Sequence, residues 1–428
     1  NNGSRFLNAG TSNDFTVYFA YLPANRLELW MDLESDRMDT PIFREFWSER
    51  DVVMEERRLS ENDPDSVLSE AFYSVAFTAS PYKWPVVGWM SDLQTTDRQE
   101  LEAYHRRYYA PNNATAVVVG DISAAQVEAM AKRYFGSIPA QEQPPRVETR
   151  EPEQKGERRV VVEHTANPML MIGWHKPTYP DPDATTFQVL QSVLGGGRTS
   201  RLYKKIYEEK QLTAQPPSAS AGPGQRYENL FIVQAEPRHP NTLEDVEKAI
   251  YEEVELLKKE PVSDRELERI KNQIDAGRIR QMGSNIGIAF QLALGQVFMG
   301  DWRFMFRYYD RIKEVTAADV QAVAQKYLTT KNRTVGYRVK TEAPAAPGEE
   351  SAEDKAAMQQ AIMAYVQSLP PDAQMAVVQK FQQLRGNPEE LKAYGRQLYE
   401  QAKAAGFGQE APKEPAKAPE TPEKPKSE

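Results

Sequence analysis

The sequence predicts an α+β fold made of two related halves and followed by a helical appendage. Short segments rich in β-branched and aromatic residues alternate with amphipathic helical stretches, and one helix–turn–strand pattern recurs late in the chain. Stretches rich in Pro and charged residues interrupt the pattern in two places. The 428 residues suit two domains and an appendage, because they exceed what one hydrophobic core usually organises.

Strands and helices are predicted from residue type and apolar spacing. The predicted strands are residues 16–21, 115–119, 159–163, 169–174 and 229–234. The predicted helices are residues 24–39, 42–61, 97–109, 123–135, 242–258, 263–281 and 316–327. The run Gly195-Gly196-Gly197 lacks the Lys-Ser/Thr of a phosphate-binding loop, so we interpret it as a turn between helices.

The internal repeat rests on two pairs of segments. Tyr108, Asn113 and Thr115 match Tyr327, Asn332 and Thr334 at a constant separation of 219 residues. SERD at 48–51 matches SDRE at 263–266 at a separation of 215 residues. Both pairs occupy similar helix and strand patterns, which favours two related α+β halves.

The boundaries follow from composition. We expect a first half, an interdomain linker, a homologous second half, a flexible linker, a helical appendage broken at Pro370-Pro371 and Gly386-Asn387-Pro388, and a disordered tail rich in Pro, Lys and Glu. In that order the segments are 1–139, 140–157, 158–342, 343–351, 352–406 and 407–428.

Charge and composition exclude several classes of function. The net charge of -9 and the pI near 5.4, without any basic stripe, exclude a nucleic-acid partner. The absence of cysteine excludes disulfides, thiol nucleophiles and thiolate metal sites. No apolar run approaches the roughly 18 residues of a membrane span. The chain opens at Asn1 on sequence typical of a folded domain, so we expect an N-terminal truncation.

Two glutamates are the candidate site residues. The window 42–63 contains neither Gly nor Pro, which predicts a long helix, and Glu49 and Glu56 lie seven residues apart in it. Seven residues are about two helical turns, so both carboxylates share one face. This arrangement suits a metal ligand and an outer carboxylate, while a solvated acidic face is the alternative that spacing alone favours. The repeat maps Glu56 to Lys271, so any metal site is confined to the first half.

The four histidines do not complete a metal site by sequence pattern. His105, His164, His175 and His239 stand singly, and none lies in HExxH or HxxEH. We interpret His105 as a packing residue on an amphipathic helix. A catalytic zinc usually has three protein ligands and a water, so Glu56 alone cannot hold one.

Several motifs together resemble the pitrilysin/insulinase family of inverted-motif zinc peptidases. They are NAGTSNDFTVYF (8–19), LPANRLELWMDLESDRM (22–38), ERDVVMEE (49–56), ENDPDS (61–66), YYAPNNATAVVVGD (108–121) and LGGGRTSRLYKKI (194–206). The likeness covers about residues 1–342 and is greatest to the short bacterial and mitochondrial-processing type. It implies two halves, each an antiparallel β-sheet packed with helices, that close like a clamshell around a peptide.

The resemblance also assigns roles. It implies Zn²⁺ held by two histidines of an HxxEH helix and by Glu56, with Glu49 as the outer-shell carboxylate. The glutamate inside HxxEH is the general base, and this helix is expected upstream of Asn1. Asn8 and Ala9 correspond to an edge strand that pairs with the substrate backbone, and an ordinary edge strand is the equal alternative.

One departure from the family concerns the substrate carbonyl. The family's Arg/Tyr pair, seven residues apart, falls on Tyr207 and Ala214, so we expect a homologous partner subunit to supply that pair. The sequence thus predicts the catalytic-type subunit of a heterodimeric zinc endopeptidase for unstructured peptides. The alternatives are a silent partner subunit and a peptide-binding scaffold. A bacterial periplasmic or envelope location is also expected.

Overall fold

The computed structural model describes residues 3–342, 352–384 and 388–407, and the chain divides into two compact units, Asn1–Thr341 and Glu342–Glu428. The predicted linker 343–351 and the predicted tail from residue 408 onward lie outside the described residues. No helix in the described ranges is long and apolar enough to cross a membrane.

The first half of the larger unit is mainly helical. Its strands are β1 (Phe6–Thr11) and β2 (Thr16–Tyr21), and its helices are α1 (Leu27–Asp39), α2 (Phe46–Asn62), α3 (Pro64–Ala76), α4 (Met90–Thr95), α5 (Arg98–Tyr108) and α6 (Ala124–Phe135). Helix α2 begins four residues later than the predicted start at residue 42, because residues 42–45 form a turn in which the Arg44 N–H donates to the Ile42 carbonyl.

The second half contains five strands and six helices. The strands are β3 (Arg158–His164), β4 (Met169–Lys176), β5 (Ser218–Gly222), β6 (Asn229–Ala235) and β7 (Arg333–Lys340). The helices are α7 (Asp183–Gly195), α8 (Leu243–Lys259), α9 (Asp264–Gln281), α10 (Asn285–Met299), α11 (Phe304–Glu314) and α12 (Ala317–Tyr327). A π-helical segment, Tyr203–Glu209, follows α7. Gly195 ends α7, and Gly196 and Gly197 begin the predicted turn between the two helices.

The strands of the second half form one sheet in the order β3-β7-β4-β6-β5. Three pairs are antiparallel, as predicted, but β3 and β7 run parallel. Two strands joined by a short hairpin must be antiparallel. Nearly the whole second half separates β3 from β7 in sequence, so this constraint does not apply to them and they can pair in parallel.

The main core lies between one face of this sheet and helices α7, α8 and α12. The other face is covered by α3, which comes from the first half of the sequence. Phe72 of α3 is fully buried and lies over Gly173 of β4 and Gly336 of β7. The two related halves are therefore packed into one unit.

The strand predicted at residues 115–119 does not form. These residues have no ladder partner in the described part of the chain, where β1 and β2 pair only with each other. An isolated extended segment lacks the backbone hydrogen bonds that define a strand. Its valines line an apolar cleft together with residues of β2, α1 and α10, which explains why the segment is apolar.

The internal repeat is visible in the hydrogen bonds of its first pair of segments. Helices α5 and α12 both begin with a capping box and are separated by the same 219 residues as the sequence match. Asn113 Nδ2 donates to the Tyr108 carbonyl at 2.9 Å, and Asn332 Nδ2 donates to the Tyr327 carbonyl at 2.8 Å. The second pair is less regular, since Ser48 lies inside α2 whereas Ser263 is the N-cap of α9.

The stretch 140–157, predicted as a linker, is extended and anchored at two points. The Glu151 carboxylate accepts hydrogen bonds from the backbone N–H groups of residues 78–80. Gln154 is buried, and its Nε2 donates to the Arg333 carbonyl at 2.6 Å. This stretch therefore binds the end of α3 and the start of β7.

The second unit is helical in the residues described. Its helices are α13 (Ala352–Ser368), α14 (Pro371–Gln383) and α15 (Pro388–Ala404). Helix α14 begins at Pro371, within the first predicted break, and α15 begins at Pro388, within the second; Gly386 and Asn387 lie outside the described residues.

Candidate functional site

Helix α2 carries the candidate glutamates, and two arginines fix its rotation. Arg57 is only 4% exposed, and its Nη1 and Nη2 bind the Glu70 carboxylate of α3 at 2.5 and 3.0 Å. Its guanidinium also lies over the Trp89 ring, 5.1 Å from the centroid. Two turns earlier, Arg50 Nη1 donates to the carbonyls of Gln94 and Thr96. Both ends of α2 are therefore held on the same side.

Glu49 and Glu56 each precede one of these arginines by one residue. Successive residues of a helix are rotated by about 100° around its axis. Both carboxylates are therefore rotated by the same angle from the arginine side of α2. Both glutamates are exposed, and their separation of two turns places them about 10 Å apart along the axis. The two glutamates therefore share an exposed face of α2, next to the face that contacts α3 and α4.

The described residues do not contain a complete zinc site. No group of three or more His, Cys, Asp or Glu side chains among them could hold a metal ion. Glu56 therefore fits at most one position of a tetrahedral site, and the histidine ligands implied by the resemblance are not supplied by these residues.

Three of the four histidines have other partners. His105 Nε2 lies 3.0 Å from the Arg37 carbonyl, and its ring stacks on Tyr109. His175 Nε2 lies 3.0 Å from the Ala76 carbonyl, and burial lowers the pKa of its ring. His164 Nδ1 accepts from the Ala166 N–H at 3.0 Å, and His239 is exposed beside Pro240. The interpretation of His105 as a packing residue agrees with its stacking.

Asn8 and Ala9 lie on β1, opposite Phe19 and Tyr18 of β2. All six residues of β1 are exposed, and in the described part of the chain β1 pairs with β2 alone. One edge of β1 is therefore open to another extended chain. Asn8 Oδ1 accepts from the Ala9 N–H at 2.8 Å.

The hairpin that carries this edge is fixed at its turn by Asp14. Tyr82, which is 2% exposed, donates its hydroxyl to Asp14 Oδ1 at 2.7 Å. Asp14 Oδ2 accepts from the backbone N–H groups of Gln225 and Arg226 in the second half. Ring contacts of Phe15 and Phe19 with α10 hold the flanks of the hairpin.

The resemblance places the family's Arg/Tyr pair at Tyr207 and Ala214, and the structure shows what surrounds these two residues. Tyr207 packs against Tyr203, with the Arg238 guanidinium 5.8 Å from its ring centroid. The Ala214 N–H donates to the Glu236 carbonyl at 2.9 Å. These two side chains provide no guanidinium of their own for a substrate carbonyl.

The residues that anchor α2 and the hairpin were not predicted from the sequence. A signal for them was present, because Glu49-Arg50 and Glu56-Arg57 repeat the same dipeptide seven residues apart. One helix face then presents two glutamates and the neighbouring face presents two arginines. Neither the partner Glu70 nor the Asp14–Tyr82 bond has such a signal, because both depend on contacts between distant segments.

The sequence and the fold of two related α+β halves are similar to those of known proteases. Residues 95–274 match the family described as "Peptidase M16 inactive domain". The chain is 29% identical to the "Zinc protease PqqE" of Helicobacter pylori over 336 residues, which are 77% of this chain and 75% of that protein.

Solved structures agree with the sequence matches. A protease from Helicobacter pylori superposes with a TM-score of 0.74 at 28% identity, covering 78% of this chain and 82% of the other. A peptidase M16 inactive domain from Pseudomonas fluorescens shares the fold, with a TM-score of 0.69 at 20% identity, covering 79% and 81%. These matches confirm the resemblance of the chain to the pitrilysin/insulinase family, and its four histidines include no HxxEH motif.

Proposed function

We propose that this chain, together with the HxxEH helix that the family resemblance implies, forms a zinc-dependent endopeptidase subunit that cleaves unstructured peptides; the two together are called the complete protein. The observation that carries this proposal is the fixed rotation of α2, which directs Glu49 and Glu56 from one exposed face while Arg50 and Arg57 hold the neighbouring face. A solvated acidic face does not require two arginines that bind neighbouring segments, of which Arg57 is buried. In this proposal Glu56 is one zinc ligand and Glu49 is the outer carboxylate, with the histidine ligands supplied from outside the described residues.

The open edge of β1 supports a role in holding the substrate. An extended peptide can add to this edge by backbone hydrogen bonds, with Asn8 and Ala9 as its neighbours. The anchored turn at Asp14 supports this role, because a rigid edge loses little conformational freedom on binding.

The positions of Tyr207 and Ala214 support a second subunit. Stabilising the developing charge on a carbonyl oxygen contributes about 3–4 kcal/mol in peptidases, and these side chains lack the Arg/Tyr donors. We propose a heterodimer in which a homologous subunit supplies the pair. A location in the bacterial envelope stays a prediction.

Zinc content is the first test. The 428-residue chain is expected to retain much less than one zinc per chain after dialysis, because a single carboxylate leaves most of the coordination sphere to water. In the complete protein, Glu56→Gln should abolish zinc retention. Glu49→Gln should weaken it by about 10–100-fold, as is typical of outer-shell partners.

Glu55→Gln is the matched control, since Glu55 is exposed on the same helix and pairs only with Arg58 among the contacts described for it. It should leave the zinc content unchanged. If all three variants lost zinc equally, or if the complete protein carried none, the proposed ligand role of Glu56 would be wrong.

Cleavage of an unstructured fluorogenic peptide is the second test. The complete protein alone should be nearly inactive and should gain activity when the homologous subunit is added. Mutation of the arginine in that partner should remove the gain. Full activity from a verified monomer or homodimer would contradict the heterodimer. If the complete protein retained zinc but cleaved no peptide, with or without the homologous subunit, the alternatives would be favoured. These are a silent partner subunit and a peptide-binding scaffold.

A further inference from the structure

A cavity of about 350 Å³ lies at the end of the five-stranded sheet, beneath α7 and beside α10 and α11. Seven aromatic side chains contribute to its wall, among them Phe187, Phe231 and Tyr308, together with threonine and glutamine side chains from the helices and loops. Two polar side chains from the sheet also enter the cavity, Lys176 of β4 and Asn229 of β6. A cavity with an apolar wall and a few convergent polar groups is typical of a small-ligand site.

Lys176 is a buried cation without a counterion in this cavity. Lys176 is only 9% exposed. Its Nζ donates one hydrogen bond, to the Pro177 carbonyl at 3.3 Å, and lies 5.6 Å from the centroid of the Phe187 ring. No carboxylate lines the cavity among the described residues. An ammonium group has three N–H donors, and burying it without an anion is costly. This burial lowers the pKa of Lys176 to about 8.

Asn229 lies directly opposite Lys176 in the antiparallel register of β4 and β6. It is 2% exposed, and its Nδ2 donates to the Gly224 carbonyl. Its Oδ1 is buried and has no hydrogen-bond partner in the described structure. Facing residues of such a pair have Cα atoms about 4.5–5.5 Å apart. The cavity thus presents an unmatched donor beside an unmatched acceptor, and these two groups do not satisfy each other.

We propose that this cavity binds the carboxylate end of an N-acylated apolar amino acid, the chemistry of the last residue of a peptide. The carboxylate pairs with the Lys176 ammonium, and the adjacent amide N–H donates to Asn229 Oδ1. The apolar side chain packs on the aromatic wall. One or two residues suit a cavity of this size.

Calorimetric titration of the 428-residue chain at pH 7 tests the proposal with three probes of similar shape. N-acetyl-L-phenylalanine should bind saturably. N-acetyl-L-phenylalaninamide lacks the charge and should bind at least about tenfold more weakly. 3-Phenylpropionate lacks the amide N–H and should bind at least about threefold more weakly, because Asn229 Oδ1 then stays unpaired.

Lys176→Met removes the charge but keeps the length of the side chain. It should reduce binding of the acid at least about tenfold and leave the binding of the amide nearly unchanged. Removal of an unpaired buried charge should not lower the Tm, so the variant is expected to fold. Lys204→Met, at an exposed lysine of the π-helical segment, is the control and should bind as the unmodified chain does.

The pH profile gives an independent measurement. The other titratable side chains that line the cavity are Tyr179, Tyr308 and Tyr309, and burial raises the pKa of both Tyr308 and Tyr309. Binding of the acid should therefore weaken as the pH rises above about 8 and Lys176 loses its proton. Lys176→Met should lack this dependence.

Equal affinity for acid and amide, undiminished binding by Lys176→Met, or no saturable binding of the acid below about 10 mM would each overturn the proposal. A tetrapeptide ending in Phe, compared with its C-terminal amide, shows whether the ligand is the end of a peptide or a free acylated amino acid. Binding of the tetrapeptide acid assigns the cavity to peptide C-termini, and binding of the acetylated amino acid alone assigns it to a free acyl amino acid. The test requires no cleavage, so its failure leaves the proposed peptidase function unaffected.

Discussion

The guanidinium of Arg57 and the carboxylate of Glu70 form a two-bonded ion pair that joins α2 to α3. Arg57 is buried, and Glu70 is one quarter exposed at its side chain. Helix α3 in turn covers one face of the five-stranded sheet. The ion pair therefore links the helix that carries Glu49 and Glu56 to the core of the second half.

Replacing Arg57 with Met should destabilise the larger unit by about 3 kcal/mol, because Glu70 would keep its charge without its buried partner. Urea unfolding followed by circular dichroism measures this as a lower midpoint with an unchanged slope. Arg58→Met is the control, since the Arg58–Glu55 pair is exposed and contributes at most about 0.5 kcal/mol. Equal effects of the two substitutions would show that the buried pair has no special role.

Phe72 occupies space that two glycines leave open. A β-carbon at Gly173 would lie 2.8 Å from Phe72 Cζ, and one at Gly336 would lie 3.0 Å from Phe72 Cδ2. Gly173→Ala should therefore destabilise the protein by about 1–3 kcal/mol, although Ala reduces the entropy of the unfolded chain. The Tm and the urea midpoint report this change.

A second substitution isolates the contact. Phe72→Leu should cost less in the Gly173→Ala background than in the unmodified protein, because the clash is then already relieved. Gly120→Ala is the control, since nothing lies within 4 Å of its β-carbon position, and it should be neutral or slightly stabilising. Additive effects of Phe72→Leu and Gly173→Ala would mean that the two residues do not compete for space.

The sequence predicted the elements whose signals are local. The N-terminus of α5 is set by the Asp97/Glu100 capping box and that of α12 by Thr316/Asp319, so their bounds agree with the apolar periodicity to about one residue. The content of β-branched and aromatic residues predicted β2 and most of β4. The shared face of Glu49 and Glu56 also follows from helical geometry alone.

The features that were missed depend on which segments meet in space. The apolar residues 115–119 have the composition of a strand, but a strand also needs a partner, and composition does not identify one. Periodicity marks one face of α3 as apolar without showing that Gly173 and Gly336 lie beneath Phe72. The pairing of Lys176 with Asn229 likewise depends on the register of β4 and β6. Such contacts join segments that are distant in sequence, and the periodicity of apolar residues does not identify them.

Removal of residues 343–428 should leave the larger unit folded, because the chain divides into compact units at Thr341 and Glu342. The truncated protein should keep a cooperative thermal melt within a few degrees of the Tm of the larger unit. A longer truncation that also removes β7 is the control and should not fold, since β7 lies between β3 and β4 in the sheet. Loss of the cooperative melt on removing 343–428 alone would show that the second unit is part of the core.

The Glu151 carboxylate provides a pH-dependent anchor for the stretch 140–157. Its side chain is 3% exposed, and it accepts backbone hydrogen bonds from Thr78, Ala79 and Ser80 at 2.7, 2.9 and 2.9 Å. Burial opposes its ionisation, but these hydrogen bonds outweigh burial and hold the pKa of Glu151 below its ordinary value. The folded protein therefore binds this proton less readily than the unfolded chain does.

Glu151→Gln should consequently destabilise the protein by about 2 kcal/mol at pH 7, because the amide presents N–H donors to backbone N–H donors. A lowered pKa in the folded state contributes stability that is fully present above the unfolded value and is lost as the pH falls through the folded value. The difference between the two proteins should therefore be constant from pH 7 to about 5 and should narrow below about pH 4. Urea midpoints measured across this range test the profile, with Glu148→Gln as an exposed control that should show no difference at any pH. A destabilisation by Glu151→Gln that stays constant down to pH 3 would mean that the charge of Glu151 is not what anchors this stretch.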